Sequence, residues 1–258
     1  MTLKPIPIRS LDELMAGLAQ PGPAHLQLQT SILCPYAIAL PPGFMLSGRD
    51  KDSCMLSFNH GDGIGLTANN RIENLTVMAT PAARAIYTQT GLPDMGDLAL
   101  VNLCVTGQVS ILMRGGTQHL NLTVDQLHIA ACDCRHHSEQ PQKYGVNVYQ
   151  GALTVYNFNG NEDATIRASL THISIGSRNA PVIGSGVLVS GFSDRGGWVE
   201  LEALSTGAVY TNGMLPYGTS DIITAAVFVV YGVRAKRVEH FGEIVTYGVN
   251  DMVLDTWG

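Results

Sequence analysis

Charged residues alternate in the stretch VRAKRVEHFGE near the C-terminal end of the chain. If this stretch is a β-strand, alternation places Arg234, Lys236 and Val238 on one face and Arg237 and Glu239 on the other. A basic side chain on a solvent-facing strand can neutralise the carboxylate of a uronate, or abstract the proton alpha to it in a β-elimination. Lys236 and Arg237 are therefore candidate catalytic residues. The alternative is an ordinary solvated strand face, which the mixture of charges favours.

A second candidate for proton transfer is the stretch NHGDG, in which His60 and Asp62 stand beside glycines. A histidine next to a carboxylate at the end of a strand can act as a general acid or base, and Gly63 would let a substrate approach closely. His60 and Asp62 are therefore also candidate catalytic residues. Asp-Gly is equally an ordinary turn signal, and the turn is the simpler interpretation.

The densest cluster of potential metal ligands lies in HIAACDCRHH. Imidazole and thiolate groups suit zinc or a similar metal, which makes His128, Cys132, Cys134 and His136 weak candidate ligands. A Cys-x-Cys spacing, however, places both thiols on one face of a strand and does not fully meet the hairpin spacing of zinc sites. We therefore predict no metal site, with the cysteines packed inward and His136 and His137 in a loop.

Aromatic residues in the second half of the chain are candidates for sugar binding, because their rings can stack on sugar faces. Tyr144, Tyr149 and Trp198 are the candidate substrate-binding residues, and Tyr156 and Phe158 have the same potential. The alternative is that these rings stack on one another within the fold.

Composition restricts the classes of partner. The 258-residue chain has 14% charged residues, 28 glycines and a formal net charge of -6. Because the overall field would not attract nucleic acids or anionic membranes, we expect neither as a partner. The N-terminal stretch lacks the apolar core of a secretory signal and the five cysteines are odd in number, so we expect a cytoplasmic protein with reduced thiols. We predict no cofactor, except calcium if the chemistry is that of a lyase.

The patterns along the chain favour strands after one opening helix. Ser10 and Glu13 fit a capping box, followed by an apolar helical face that ends before Pro21. Short runs rich in Val, Ile, Leu and Thr then continue to the end, separated by Gly, Asn and Asp. No convincing second amphipathic helix follows residue 24. We predict a single domain over residues 1–258, with a cap segment at 1–24 and stacked strands at 25–258.

Internal repeats separate a solenoid from a sandwich. The phrase NLTV at 74–77 returns as NLCV at 102–105 and as NLTV at 121–124, consistent with coils of about 23 residues. In the second half, Gly151, Gly191 and Gly232 follow at steps of 40 and 41, and Gly207 and Gly248 are also 41 apart. We predict that the three phrases are equivalent strands stacked in one parallel sheet, with their Asn side chains aligned.

Two adjacent segments carry a resemblance to a known fold. IALPPGFMLSGRDKDSCMLSF (38–58) and GDGIGLTANNRIENLTV (61–77) resemble the opening coils of right-handed parallel β-helices of the pectate-lyase-like superfamily. The resemblance implies an all-β, right-handed, single-stranded parallel β-helix with an N-terminal capping helix. It also implies an elongated cleft on one sheet, which such proteins often use for saccharides. The catalytic phrases of the superfamily are not matched, so no residue is assigned a role through it.

Three functions follow as hypotheses. The first is binding of, or action on, a saccharide in a groove along one parallel sheet. The second is a non-catalytic structural protein that associates with itself, because no helix or polar segment follows Gly248 to cover the last coil; a longer natural chain would serve the same purpose. The third is an enzyme acting on a small metabolite.

Overall fold

The computed structural model describes residues 3–257, which form one helix and 24 strands. In chain order the elements are β1 (Pro5–Ile8), α1 (Leu11–Leu18), β2 (His25–Leu28), β3 (Ile32–Cys34), β4 (Ile38–Ala39), β5 (Met45–Gly48), β6 (Met55–Phe58), β7 (Ile64–Leu66), β8 (Arg71–Met78), β9 (Arg84–Thr88), β10 (Gly96–Thr106), β11 (Gln108–Arg114), β12 (His119–Ala131), β13 (Gln142–Lys143), β14 (Val146–Val148), β15 (Gly151–Phe158), β16 (Thr165–Ile175), β17 (Val182–Ile183), β18 (Ser185–Ser190), β19 (Trp198–Asn212), β20 (Ile222–Val229), β21 (Val233–Ala235), β22 (Val238–His240), β23 (Ile244–Thr246) and β24 (Asp251–Thr256).

These strands form two sheets that the chain visits in turn. Sheet A follows the order β1-β2-β5-β8-β10-β12-β16-β19, and sheet B follows β4-β7-β9-β11-β15-β18-β20. Within the described residues, every pair of named strands is parallel except the β13–β14 hairpin. The protein is a right-handed parallel β-helix, which confirms the predicted fold class.

The predicted N-terminal helix closes the first coil. The hydroxyl of Ser10 accepts a hydrogen bond from the main-chain N–H of Glu13 at 3.2 Å. The carboxylate of Glu13 accepts the main-chain N–H of Arg9 at 2.6 Å, one residue earlier than a standard capping box. Leu14 is fully buried and Gly17 lies against the side chain of Leu26, so that α1 covers the interior of the first coil.

The long strands of sheet A turn a corner at one residue with left-handed backbone. This residue is Asn74 in β8, Asn102 in β10, Gln126 in β12 and His172 in β16, with φ of 52°, 51°, 56° and 55°. Asn adopts this conformation more readily than most residues, and Asn102 Nδ2 donates to Asn74 Oδ1 at 2.8 Å. The prediction that NLTV and NLCV stack with aligned Asn side chains is therefore correct for the first two phrases.

The third copy of the phrase is not equivalent to the first two. Asn121 lies opposite Asp97, before the corner, and the corner position of that strand belongs to Gln126. The predicted alignment of Asn121 with Asn102 is wrong because the register follows the buried residues on either side of the corner. Leu127 packs beside Leu103, whatever residue occupies the corner.

Coil length varies more than the glycine spacing predicts. Paired residues of sheet A are 20 positions apart between β2 and β5, 24 between β10 and β12, and 46 between β12 and β16. Gly191 and Gly232 are neighbours, but Gly151 pairs with Ser185. Gly207 packs against Gly242 and not against Gly248. A strict period near 40 residues is therefore wrong, because long loops enter some coils and not others.

The two sheets differ in their outer faces, and this difference decides which face is open to solvent. Strands β15 and β18 of sheet B are buried on both faces along nearly their whole length. On the outer side of this sheet, Val148 of β14 packs with Leu188 and Phe228 in a second apolar cluster. The outer face of sheet A carries alternating exposed residues instead, as in β12. The open face of the β-helix is therefore that of sheet A.

The left-handed corner generates a stability prediction. Asn102→Val places a β-branched residue in a left-handed conformation and removes the bond to Asn74, so we expect the free energy of unfolding to fall by about 1–3 kcal/mol. The matched control is Asn121→Val, which removes an exposed bond to Asp97 but lies on an extended strand without the left-handed conformation, so we expect a change within about 0.5 kcal/mol. Urea unfolding followed by circular dichroism measures both. Equal effects at the two positions would contradict the corner assignment.

Candidate functional site

The open face of sheet A carries a groove across four strands. The first halves of β12, β16 and β19 lie side by side, followed by β21, and alternation points every second residue outward. The cavity has a volume of about 530 Å³. Its polar lining consists of Thr123, Arg167, Ser169, Glu200, Glu202, Arg234 and Lys236. We call this set the sheet A groove.

Most charges in the sheet A groove are paired across neighbouring strands. Arg167 Nε lies 2.9 Å from Glu200 Oε2, and Lys236 Nζ lies 2.6 Å from Glu202 Oε2. Arg234 differs, because its guanidinium lies 4.2 Å from the ring centroid of Trp198 and has no ion-pair partner among residues 3–257. Glu200, the residue opposite Arg234 in the register, is bonded to Arg167. The groove thus has one cation that is not neutralised by a bonded acid.

The structure places Lys236 in the groove, but its contacts favour the protonated form, which cannot act as a base. The hydrogen bond from its ammonium to Glu202 raises the pKa of Lys236 above its ordinary value. A base for β-elimination needs a lowered pKa so that a neutral amine is available. Arg237 lies beyond the end of β21, where it pairs with Glu239 at 3.3 Å. This geometry favours the solvated strand face over proton abstraction.

His60 and Asp62 lie at a distant position. Asp62 accepts the main-chain N–H of Arg84 at 2.9 Å and its guanidinium Nε at 3.0 Å, while His60 is exposed on the preceding turn. Burial alone would raise the pKa of Asp62, but the bonds from Arg84 outweigh it and hold the pKa below its ordinary value. Asp62 lies two residues before β7, six strand spacings from β24 in the last coil, or about 29 Å at ~4.8 Å per strand. The four predicted catalytic residues therefore do not form one site.

The predicted sugar-binding aromatics are also dispersed. Trp198 stands at the edge of the sheet A groove, but Arg234 covers one face of its ring. Tyr144 is 76% exposed on the hairpin outside sheet B, edge-on to Trp257. Tyr149 directly follows β14. A single saccharide on one sheet could contact Trp198 and neither tyrosine.

The four weak metal-ligand candidates do not form one cluster either. His128 lies on the outer face of sheet A, where Nδ1 is 3.0 Å from Ser174 Oγ. Cys132 and Cys134 are buried free thiols with sulfur atoms 3.2 Å apart, and burial raises the pKa of Cys134 well above its ordinary value. His136 is exposed in the loop, as predicted. Within residues 3–257, no group of three or more His, Cys, Asp or Glu could hold a metal ion.

Sequence reasoning missed one pair of residues on the open face, Asp125 and His172. The Nδ1 atom of His172 lies 2.7 Å from Asp125 Oδ1. The pair is hard to find from the sequence because its members are 47 positions apart along the chain. Aligning the corner residues Gln126 and His172 would have revealed it, since Asp125 directly precedes the first and Thr171 the second.

Comparison with known proteins gives similarities to solved structures alone. No protein-family model matches the chain, and no curated protein does. A pectin methylesterase from carrot shares 10% identity with a TM-score of 0.47, over 96% of this chain and 84% of the other. The pectin methylesterase from Aspergillus niger in deglycosylated form shares 9% identity with a TM-score of 0.43, over 93% and 81%. At this level of similarity, the chemistry of the chain has to be inferred from its own residues. No helix in the described part of the chain is long and apolar enough to cross a membrane.

The pairing of Asp62 with Arg84 generates a second stability prediction. We expect Asp62→Asn to lower the free energy of unfolding by about 1–2 kcal/mol at neutral pH, because a charge-assisted bond is lost. The folded-state pKa of Asp62 lies below its unfolded value of about 3.9, so this contribution is present above that pH and is lost as the pH falls through the folded-state pKa. The difference between the two proteins should therefore shrink below about pH 4.

Urea unfolding at several pH values measures this difference. The control is Asp163→Asn, on an exposed loop, where we expect a change within about 0.5 kcal/mol at every pH. A difference between Asp62→Asn and the wild type that did not depend on pH would argue against the ion pair.

Proposed function

We propose that the protein binds an acidic saccharide along the sheet A groove. The observation that carries this proposal is Arg234, a guanidinium held against Trp198 in an open groove and lacking a bonded acid among the described residues. A guanidinium offers two parallel N–H donors, a geometry that matches a carboxylate. A uronate carboxylate is the saccharide group that would complete this site.

The remaining groove residues suit hydroxyl groups. The Arg167–Glu200 and Lys236–Glu202 pairs present charged donors and acceptors on an exposed sheet face, where bonds to sugar hydroxyls can replace or share the ion pairs. Surface ion pairs contribute only about 0–1 kcal/mol each, so that their rearrangement costs little. Thr123 and Ser169 add uncharged hydroxyls to the lining.

Binding depends on Arg234 if this proposal is correct. We expect Arg234→Gln to weaken the binding of a galacturonate oligomer about 10-fold to 100-fold, because a charged hydrogen bond contributes about 1.5–3 kcal/mol. Isothermal titration calorimetry measures the affinity, with a neutral glucose oligomer as the weaker-binding comparison. The matched control is Arg9→Gln, which is exposed near α1 and should bind like the wild type. Undetectable binding by the wild type, or equal binding by Arg234→Gln, would refute the proposal.

A second candidate function is self-association through the C-terminal strands, and a specific observation favours it. Strand β24 pairs with β20 on one edge, and no strand among residues 3–257 pairs with its other edge. Val253 and Leu254 are 46% and 57% exposed and, with Val238 and Ile244, line an apolar cavity of about 180 Å³. An uncovered strand edge with apolar side chains recruits further strands.

A second copy of this chain is the occupant that we propose for this edge. Helix α1 covers the opposite end of the β-helix, so that head-to-tail stacking is blocked. The same C-terminal edge of two copies can meet instead around a twofold axis, with their β24 strands antiparallel.

This association has a direct test. We expect the wild type to form dimers and Leu254→Lys to remain monomeric, because a buried ammonium in the contact would be unpaired. Sedimentation velocity across a concentration series measures the mass. Leu33→Lys is the matched control, since Leu33 is 58% exposed in the N-terminal coils. A monomeric wild type at the highest soluble concentration would exclude the dimer.

A further inference from the structure

The pair formed by Asp125 and His172 is held from several sides. The Nδ1 atom of His172 and the hydroxyl of Thr171 both lie 2.7 Å from Oδ1 of Asp125. The main-chain N–H of His172 donates to Ser205 Oγ at 3.0 Å, and the residue has the left-handed corner conformation, with φ of 55°. The ring of His172 is thus tied to strand β12, and its main chain is tied to strand β19.

These contacts fix the tautomer of the imidazole. The hydrogen bond with His172 is the largest influence on Asp125 and holds its pKa below the ordinary value, so that the carboxylate is charged at neutral pH. A charged carboxylate can only accept, and therefore Nδ1 of His172 carries the hydrogen. In the neutral ring, Nε2 then has a free lone pair. The His172 side chain is 72% exposed, so that water has access to it.

A pocket adjoins this imidazole. It has a volume of about 240 Å³ and is lined by His172, Ser174, Ser205 and Phe241, together with Thr206. The oxygen of Ser205 accepts from the main chain of His172, which leaves its hydroxyl hydrogen for a further acceptor. The ring of Phe241, 70% exposed, supplies an apolar wall.

The pocket lies at the end of the sheet A groove. Asp125 and Thr171 follow Thr123 and Ser169 of the groove by two residues on the same outward face of β12 and β16. Two residues of a strand span about 7 Å. A saccharide in the groove can therefore place a substituent of its next ring in the pocket.

We propose that His172, positioned by Asp125, is the general base of an esterase site that removes a small acyl group from a hydroxyl of the saccharide bound in the sheet A groove. Nε2 takes a proton from water while the water oxygen bonds to the acyl carbon. The bond from that carbon to the sugar oxygen then breaks, and the sugar oxygen receives the proton from Nε2. The products are a carboxylic acid and a free sugar hydroxyl. The hydroxyl of Ser205 is the donor available to the oxyanion.

Other reactions on a saccharide fit these residues less well. Glycoside hydrolysis needs a carboxylic acid that donates a proton, whereas Glu200 and Glu202 are both bonded to cations. Elimination needs a cation at the same sugar ring as the base, whereas Arg234 lies two strands and several residues from His172. Attack of water on an ester needs one base and one oxyanion donor, and the pocket offers both.

The test separates the pocket from the groove on which this inference rests. Hydrolysis of 4-nitrophenyl acetate, which has no saccharide, is measured for the wild type, Asp125→Asn and His172→Gln. We expect the wild type to exceed an equal concentration of free imidazole and both variants to lose about 100-fold in kcat. Gln occupies the equivalent corner position at residue 126, so that His172→Gln is compatible with the fold. Asp97→Asn, an exposed carboxylate on the same face outside the groove and pocket, is the matched control and should keep full activity.

A spectroscopic measurement identifies the role of Asp125. Nitrogen-15 NMR should show the hydrogen of His172 on Nδ1 in the wild type and a mixture of tautomers in Asp125→Asn, a change that lost stability alone would not cause. Equal rates for the wild type and both variants would overturn the inference. Esterase activity without binding of the galacturonate oligomer would contradict saccharide binding in the sheet A groove and would support esterase chemistry at His172.

Discussion

The structure depends on the stacking of parallel coils in register at the left-handed corner of sheet A. On both sides of the corner a buried aliphatic side chain sits beside its equivalent in the next coil, as Ile72 beside Leu100 before the corner and Leu75 beside Leu103 after it. Slipping one coil by a single residue would turn every inward side chain outward, so that the whole apolar interior opposes it. The corner also opposes a slip, because a shifted coil would place a different residue at the position where the backbone must adopt a positive φ.

This constraint also arranges the outer surface. Once the inward residues are fixed, the outward ones form rows across the strands, and the row Asn121, Arg167, Glu200 and Arg234 brings together residues from four different coils. The charged side chains of the groove lie side by side because the buried residues next to them on each strand are stacked in register. Sheet B does not provide such a surface, since Val148 of the β13–β14 hairpin packs on its outer side and its strands β15 and β18 are buried on both faces.

The sequence predicts the fold better than the site, and the reason is physical. Strand-length apolar runs, the Ser10 cap and the stacked Asn74 and Asn102 are local features, and each of them is present in the structure. The third phrase misled the prediction because Asn also occurs in ordinary extended strands, and the corner at Gln126 has no equally strong sequence preference. The outward position of Lys236 could be predicted because charge alternation is local, whereas its pairing with Glu202 could not. The pair Asp125 and His172 was missed, because its contact depends on the register across a coil with a long loop.

The position of a residue in the stack also bears on the chemistry it can perform. Lys236 is an exposed ammonium, and its bond to Glu202 raises its pKa, so that it is a poor base. At the corner, the backbone of His172 is fixed by its main-chain bond to Ser205 and its ring by the carboxylate of Asp125. A general base must be held in one orientation and one tautomer while its second nitrogen is free. The corner meets these requirements with groups that the stacking already immobilises, whereas the exposed turn at His60 does not.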